Sequence, residues 1–205
     1  MKKLVLFDFD GVLVNTLKIW FTIHKEANND FTWESFQAMS EGNFWDKLDE
    51  STKQGHILPD NAEAKYLSEL VDTTFSIEEA ISIVIKALHE KYQIAIVSSG
   101  RESSINQFLK KMELDYCFSD VLGLDTHRSK TVKIKSLIDK YSLPLEHIIF
   151  ITDTLGDIRE ANDCNVKSIG VTWGLHHRET LEKGEPFAIL DDPLHLLETI
   201  DKALE

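Results

Sequence analysis

The stretch Leu4-Val5-Leu6-Phe7-Asp8-Phe9-Asp10-Gly11-Val12-Leu13-Val14-Asn15-Thr16 decides how this chain is read. A short apolar run follows Lys2-Lys3 and stops at two carboxylates separated by one residue, then a glycine. Buried strands of parallel sheets read as near-continuous apolar runs, and ligands sit outside the carboxyl ends of such strands. The run therefore predicts a strand with Asp8 at its tip and Asp10 in the following loop. Gly11 would let the backbone turn closely around an anion there. A strand-end carboxylate can act as a nucleophile that becomes an aspartyl-phosphate. A second carboxylate two residues on can serve as general acid and then as base toward water. The structural alternative is a strand ending in a polar turn, where Asp and Gly are ordinary residues.

Outward from this stretch the pattern turns helical, with Leu17, Trp20, Phe21, Ile23 and His24 at three- and four-residue spacing. Asn28-Asn29-Asp30 ends that helix, and Thr32 is placed to cap the next. Phe31, Trp33, Phe36, Phe44 and Trp45 crowd around a turn at Glu41-Gly42-Asn43, and residues 55–60 form another break. Two further helices are predicted at about 62–75 and 77–91. No strand pattern occurs between Thr16 and Lys91, so an all-helical insertion into an α/β domain is expected. From Gln93 strands and helices alternate. Strands are predicted at 94–97, 121–124, 147–152, 166–171 and 187–190, and helices at 103–112, 129–141, 158–162 and 193–204. Such alternation implies parallel strands with right-handed crossovers. The expected architecture is α/β, a doubly wound parallel sheet from residues 1–15 and 92–205 with a helical insertion over 16–91.

The chain has 205 residues and a formal charge of −13, which suits one domain with a modest insertion. The acidic balance argues against nucleic acid or an anionic membrane as partner, since both need clustered Lys and Arg. A phosphate-binding site in such a chain needs local positive charge from lysine, helix N-termini or a metal ion. Cys117 and Cys164 fit no metal-type spacing and read as two buried thiols of a reducing compartment. The carboxylates at Asp8 and Asp10 interrupt any signal-peptide pattern, and a cytoplasmic location, as monomer or homodimer, is the expectation.

Chemically able groups recur where apolar runs end: Asp8 and Asp10, then Ser98-Ser99-Gly100, then Asp153 with Asp157. Lys130 starts the helix before the last of these. Singly, each has a plain structural reading: Ser98 or Ser99 as a helix cap, Asp157 as a favourable charge in a first helical turn, Lys130 as one solvated lysine among three. Together and in this order they resemble the four motifs of the haloacid dehalogenase-like (HAD-like) phosphohydrolases, over essentially the whole chain. Gly170-Val171-Thr172-Trp173-Gly174 with His176 and His177 is similar to the phosphoglycolate phosphatase-like subgroup.

The resemblance implies a Rossmann-like core with a small helical cap, and hydrolysis of a small phosphorylated metabolite with Mg2+. Asp8 would be the nucleophile and Asp10 the acid and base. Ser98 would hold a phosphoryl oxygen and Lys130 would add positive charge. Asp8, Asp153 and the backbone carbonyl of Asp10 would bind the metal, with Asp157 holding a metal-bound water. Gly11, Ser99, Gly100 and Asn43 would contact substrate, and the 40–43 turn would be a specificity loop. The cap aromatics read more simply as the core of a small bundle. The third motif often pairs its lysine with proline; here it is Lys130-Thr131, and Lys133 is the alternative. Asp10 argues against family dehalogenases and phosphonoacetaldehyde hydrolases, which lack a carboxylate there. Family sugar-phosphate mutases carry a cap histidine where this chain has Trp20, although His24 is near. A receiver-like module would lack Asp10 and the insertion, and a dinucleotide-binding domain would need GxGxxG. A non-catalytic phosphate- or metal-binding protein on the same fold is a further alternative.

Overall fold

Leu4–Phe7 forms strand β1, followed in chain order by β2 (Gln93–Val97), β3 (Asp120–Leu122), β4 (Ile148–Thr152), β5 (Lys167–Val171) and β6 (Ala188–Leu190). The computed structural model describes residues 2–72 and 75–205. All strand pairings are parallel, and the sheet order is β3-β2-β1-β4-β5-β6. β1 is central: Phe7 lies opposite Ile96 on one side and Ile151 on the other. The chain moves outward from β1 through β2 and β3, then returns to the far side of β1 at β4. That reversal opens a crevice at the carboxyl ends of the central strands.

The apolar runs of the strands are continuous because both faces are covered. Val5, Phe7, Ile94, Ile96, Ile149 and Ile151 point into one core, shared with helices α5 (Glu79–Lys91), α6 (Glu102–Lys111) and α10 (Leu196–Ala203). Leu4, Leu6, Ala95, Val97, Ile148 and Phe150 point into the other, under α7 (Lys130–Tyr141) and α8 (Leu155–Asn162), and the short α9 (Arg178–Leu181) follows β5. Odd and even positions thus serve opposite layers, as the two-residue strand repeat requires. Cys117 and Cys164 are free and buried. No helix among the described residues is long and apolar enough to cross a membrane.

Between β1 and β2 lie α1 (Leu17–Ala27), α2 (Trp33–Met39), α3 (Phe44–Lys53) and α4 (Ala62–Val71). Thr32 caps α2 as expected, accepting from the Ser35 N–H at 3.2 Å. α3 had no counterpart in the sequence reading, because its single buried side chain, Leu48, leaves no apolar stripe. The helix starts instead from a local cap, Asn43, which accepts from the N–H groups of Trp45 (3.1 Å) and Asp46 (3.2 Å). The helix expected over 62–75 ends at Val71, and its expected positions 73 and 74 lie outside the described residues.

α5 packs on β2 and α10, so it flanks the sheet instead of joining the inserted helices. We therefore place the end of the inserted unit before α5, not at residue 91. Phe31, Phe36, Met39 and Leu48 form the buried centre of the insertion together with Leu175 of the core. His24 and His56 stack within it, 2.8 Å apart between Nδ1 and Nε2. Burial, with the neighbouring His56, pushes His24 down to about 4, which keeps it neutral in the apolar centre.

Candidate active site

Asp8 follows β1 directly, with its N–H donating to the Ile151 carbonyl at 2.9 Å. Its Oδ1 accepts from the Phe9 N–H at 2.7 Å, and its Oδ2 lies 2.8 Å from Lys130 Nζ. The same ammonium is 2.6 Å from Asp157 Oδ2, which also accepts from the Thr152 hydroxyl at 2.7 Å. Lys130 therefore bridges the tip of β1 and the first turn of α8. Lys133 points elsewhere, donating to the backbone carbonyls of Ser98 and Gly123. Burial and the charge of Lys130 push Lys133 down to about 8. Of the two lysines, Lys130 is the one beside the carboxylates.

Burial raises Asp8 above the usual carboxylate range, and the neighbouring Asp157 and Asp153 add to this against the pull of Lys130. Burial likewise raises Asp10 and pushes Asp153 up to about 7. Asp157 goes the other way: its burial is outweighed by the charge and hydrogen bond of Lys130 and by the Thr152 hydroxyl. Burial opposes the charge of Lys130, but Asp157 and Asp8 hold it well above its ordinary value. The centre thus sets four carboxylates against one ammonium, a surplus that a dianionic phosphate would worsen.

Asp10 sits in the turn after Asp8, where Gly11 adopts φ +78. A Cβ at Gly11 would stand 2.1 Å from Asp153 Oδ2, so that position needs glycine for both conformation and space. Asp10 Oδ1 accepts from the hydroxyls of Thr16 and Tyr66, the latter at 2.8 Å. Ser98 ends β2 fully buried, its Oγ accepting from the Gly100 N–H at 3.0 Å. A Cβ on Gly100 would lie 3.4 Å from both Asp10 Oδ2 and Ser98 Oγ, so these three groups converge. Ser99 and Gly100 line the pocket.

Asp153 Oδ2 accepts from the Leu175 N–H at 2.7 Å, while its Oδ1 is buried with no partner among the described residues. A Cβ at Gly174 would lie 2.3 Å from that Oδ2, so glycine there closes the cradle around Asp153. No group of three or more His, Cys, Asp or Glu side chains among the described residues is arranged to hold a metal ion by itself. Magnesium asks for less: one or two carboxylates, with waters and substrate oxygens completing the shell. The orphaned oxygen of Asp153, whose charge is felt by Asp8, with hard oxygen donors throughout, fits such an ion.

The insertion is fastened to the core beside this centre. Gly156 N–H donates to the Ser40 carbonyl at 2.9 Å and Arg159 to the Glu41 carbonyl at 2.6 Å. Gln37 Nε2 donates to the Leu175 carbonyl at 2.8 Å. His176 accepts from the Leu155 N–H at 2.9 Å and donates through Nε2 to the Gln37 carbonyl at 2.9 Å, so it is a neutral strut between core and insertion.

Asn43, expected to contact substrate, does not line the pocket. Its oxygen caps α3 and its amide donates to Glu160 at 3.3 Å, which leaves that side chain committed to fastening. Sequence reasoning also missed Tyr66 and Thr152. No local signal marks either, because their partners lie on other elements. Gly174 was legible only as part of the Gly170–Gly174 stretch.

The Gly156 contact makes a prediction. A Cβ there would meet the Gly42 carbonyl oxygen at 2.2 Å and the Ser40 carbonyl at 2.8 Å. Ala is the better helix former, so Gly156→Ala should leave the melting temperature of the core nearly unchanged. It should displace the 40–42 turn and lower kcat/KM by about 10²-fold, as a misplacement near 1 Å can. Unchanged kcat/KM in the variant would show that this closure is irrelevant to turnover.

Comparisons with known proteins agree with this geometry. The family described as haloacid dehalogenase-like hydrolase matches residues 5–171. The phosphoglycolate phosphatase of Aliivibrio fischeri is 22% identical, covering 98% of this chain and 97% of its own length. The pyrophosphatase PpaX of Bacillus thuringiensis is 26% identical over 94% of both chains. Among solved structures, CbbY from Rhodobacter sphaeroides in complex with xylulose-1,5-bisphosphate superposes with a TM-score of 0.79. It is 14% identical, with 98% of this chain and 99% of that one covered, and this likeness concerns the fold. With its six-stranded parallel sheet, its strand-end carboxylates and a family match over most of its length, the chain belongs to the haloacid dehalogenase-like hydrolases and is an enzyme of that family.

Proposed function

We propose that the protein is a magnesium-dependent phosphatase that hydrolyses a small phosphorylated metabolite through an aspartyl-phosphate on Asp8. One observation carries this reading: Asp8 is paired with Lys130 at 2.8 Å and lies within reach of the charge of Asp153, which keeps one buried oxygen unpartnered among the described residues, while Asp10 is held by Thr16 and Tyr66. Asp8, Asp153 and the Asp10 backbone carbonyl would hold the metal, which when bound offsets the charge of substrate and carboxylates.

In the first half-reaction an Asp8 carboxylate oxygen bonds to phosphorus and the ester P–O bond breaks. Asp10 gives its proton to the leaving alcohol. Burial raises Asp10, the direction a general acid needs near neutral pH. In the second half-reaction Asp10, now a carboxylate, takes a proton from water as that water attacks phosphorus. Inorganic phosphate leaves and Asp8 is restored. Ser98 Oγ accepts from Gly100, which keeps its own O–H available for a phosphoryl oxygen. Lys130 counters the charge that builds on the phosphoryl group, and we assign Asp157 first to holding Lys130. The named relatives, a phosphoglycolate phosphatase and a pyrophosphatase, support phosphoryl transfer to water. His24 stands in the apolar centre of the insertion and not at the pocket, so no observation favours the mutase alternative.

The test is phosphate release from an activated ester such as p-nitrophenyl phosphate, with and without magnesium, alongside Asp10→Asn. Chelation should abolish release. Asp10→Asn should lower steady-state turnover about 10²–10⁴-fold yet still give a burst of nitrophenol, with one phosphoryl group retained on Asp8. Full activity in chelator, or full turnover by the variant, would overturn the reading.

A further inference from the structure

The pocket has two chemically different ends. Within a cavity of about 290 Å³, the floor carries Asp8, Asp10, Asp153, Asp157 and Lys130. The opposite wall, contributed by the insertion, carries Trp20, Phe36, Phe44, Trp45, Leu48 and Leu58. No Lys or His lines that wall among the described residues. The ionic residues beside it are Asp60 and Glu63 of the insertion and Arg101 of the core, and Arg101 is already engaged. It lies 3.0 Å from Asp125 and 4.0 Å from Glu63, while Glu63 also accepts from the Ser104 hydroxyl at 2.8 Å.

We propose that the enzyme selects phosphomonoesters whose leaving alcohol is apolar, ring- or chain-bearing, and free of any second anionic group. This rests on the phosphatase reading and names the substrate class of that same site. A carboxylate or second phosphate on the leaving group would be desolvated against aromatic and aliphatic walls, would have to compete with Asp125 and Glu63 for Arg101, and would face Asp60 and Glu63. An apolar body gains where such an anion loses, because the walls shed water onto it. The Trp45 indole N–H is buried without a partner among the described residues. The wall is also tied to the chemistry: Trp20 stacks on Tyr66 with ring centroids 4.7 Å apart, and Tyr66 holds Asp10. Filling the wall therefore bears on the residue that protonates the leaving group. The substrates named for the relatives, phosphoglycolate and pyrophosphate, both carry the second anion that this pocket is built to refuse.

The experiment compares alkyl esters of similar leaving-group acidity, with acetyl phosphate as a small activated control. With magnesium, benzyl phosphate should exceed ethyl phosphate in kcat/KM by roughly 10- to 200-fold, the range that added apolar groups command in a hydrophobic pocket. Phosphoglycolate should fall below ethyl phosphate. A binding arm uses non-hydrolysable phosphonates by calorimetry, and benzylphosphonate should bind more tightly than phosphonoacetate. Faster turnover of phosphoglycolate than of ethyl phosphate, or tighter binding of phosphonoacetate, would overturn the proposal. Failure to hydrolyse even acetyl phosphate, with benzylphosphonate still preferred, would sink the phosphatase reading and leave the apolar selectivity standing.

Discussion

Asp8→Asn should abolish phosphate release, with kcat lower by about 10⁴-fold or more, the scale seen when a covalent nucleophile is removed. The substitution is nearly isosteric. Its amide oxygen can still accept from the Phe9 N–H that Asp8 engages at 2.7 Å, but an amide does not form the acyl-phosphate. The fold should survive. Lys130 keeps Asp157 at 2.6 Å, and one negative charge leaves a cluster in which carboxylates raise one another's proton affinity. A melting temperature within a few degrees of wild type, with no phosphate release, is the expected pair of results. Residual release at more than about a hundredth of the wild-type rate would move the nucleophile elsewhere, since the non-covalent contributions alone do not sustain that.

Lys130→Met should be the most damaging substitution to stability and activity together. The ammonium is buried and contacts Asp8 and Asp157 at 2.8 and 2.6 Å. Removing one partner of a buried ionic group strands the others, at a cost of about 3–5 kcal/mol. For a chain of this size that is a fall of roughly 10 °C in melting temperature, to be measured in chelator so that no bound cation compensates. Activity should fall by about 10²–10³-fold, the scale of losing one group that stabilises transition-state charge. Lys133→Met is the control. Its Nζ donates to the carbonyls of Ser98 and Gly123, so its effect should fall on the loops carrying Ser98, not on charge at phosphorus. If Lys133→Met lost the chemistry and Lys130→Met kept it, the assignment of the two lysines would be reversed.

The sheet and three of its strand-end groups are legible in the sequence. The strands are short apolar runs, and those of β1, β2 and β4 stop at a polar side chain. Asp8, Ser98 and Asp153 carry that information within a few positions of themselves. The cap at Thr32 is legible for the same reason, because a cap and the N–H it satisfies lie within one helical turn. The insertion was legible as helical, but α3 was not, since one buried leucine makes no period. α5 reads like its helical neighbours in sequence, and only its packing on β2 and α10 separates it from them.

The sequence by itself determined the α/β class, the first strand and the three strand-end positions of the candidate site. These follow from apolar periodicity and turn chemistry, which are local. Tertiary structure alone decided which of two lysines three residues apart meets Asp8, and that Tyr66, 56 residues from Asp10, holds the side chain proposed as general acid. It also turned Asn43 from a substrate contact into a strut between α3 and Glu160. In each case the deciding partner sits on another element, and its approach is fixed by strand order and helix packing, which no short window of residues contains.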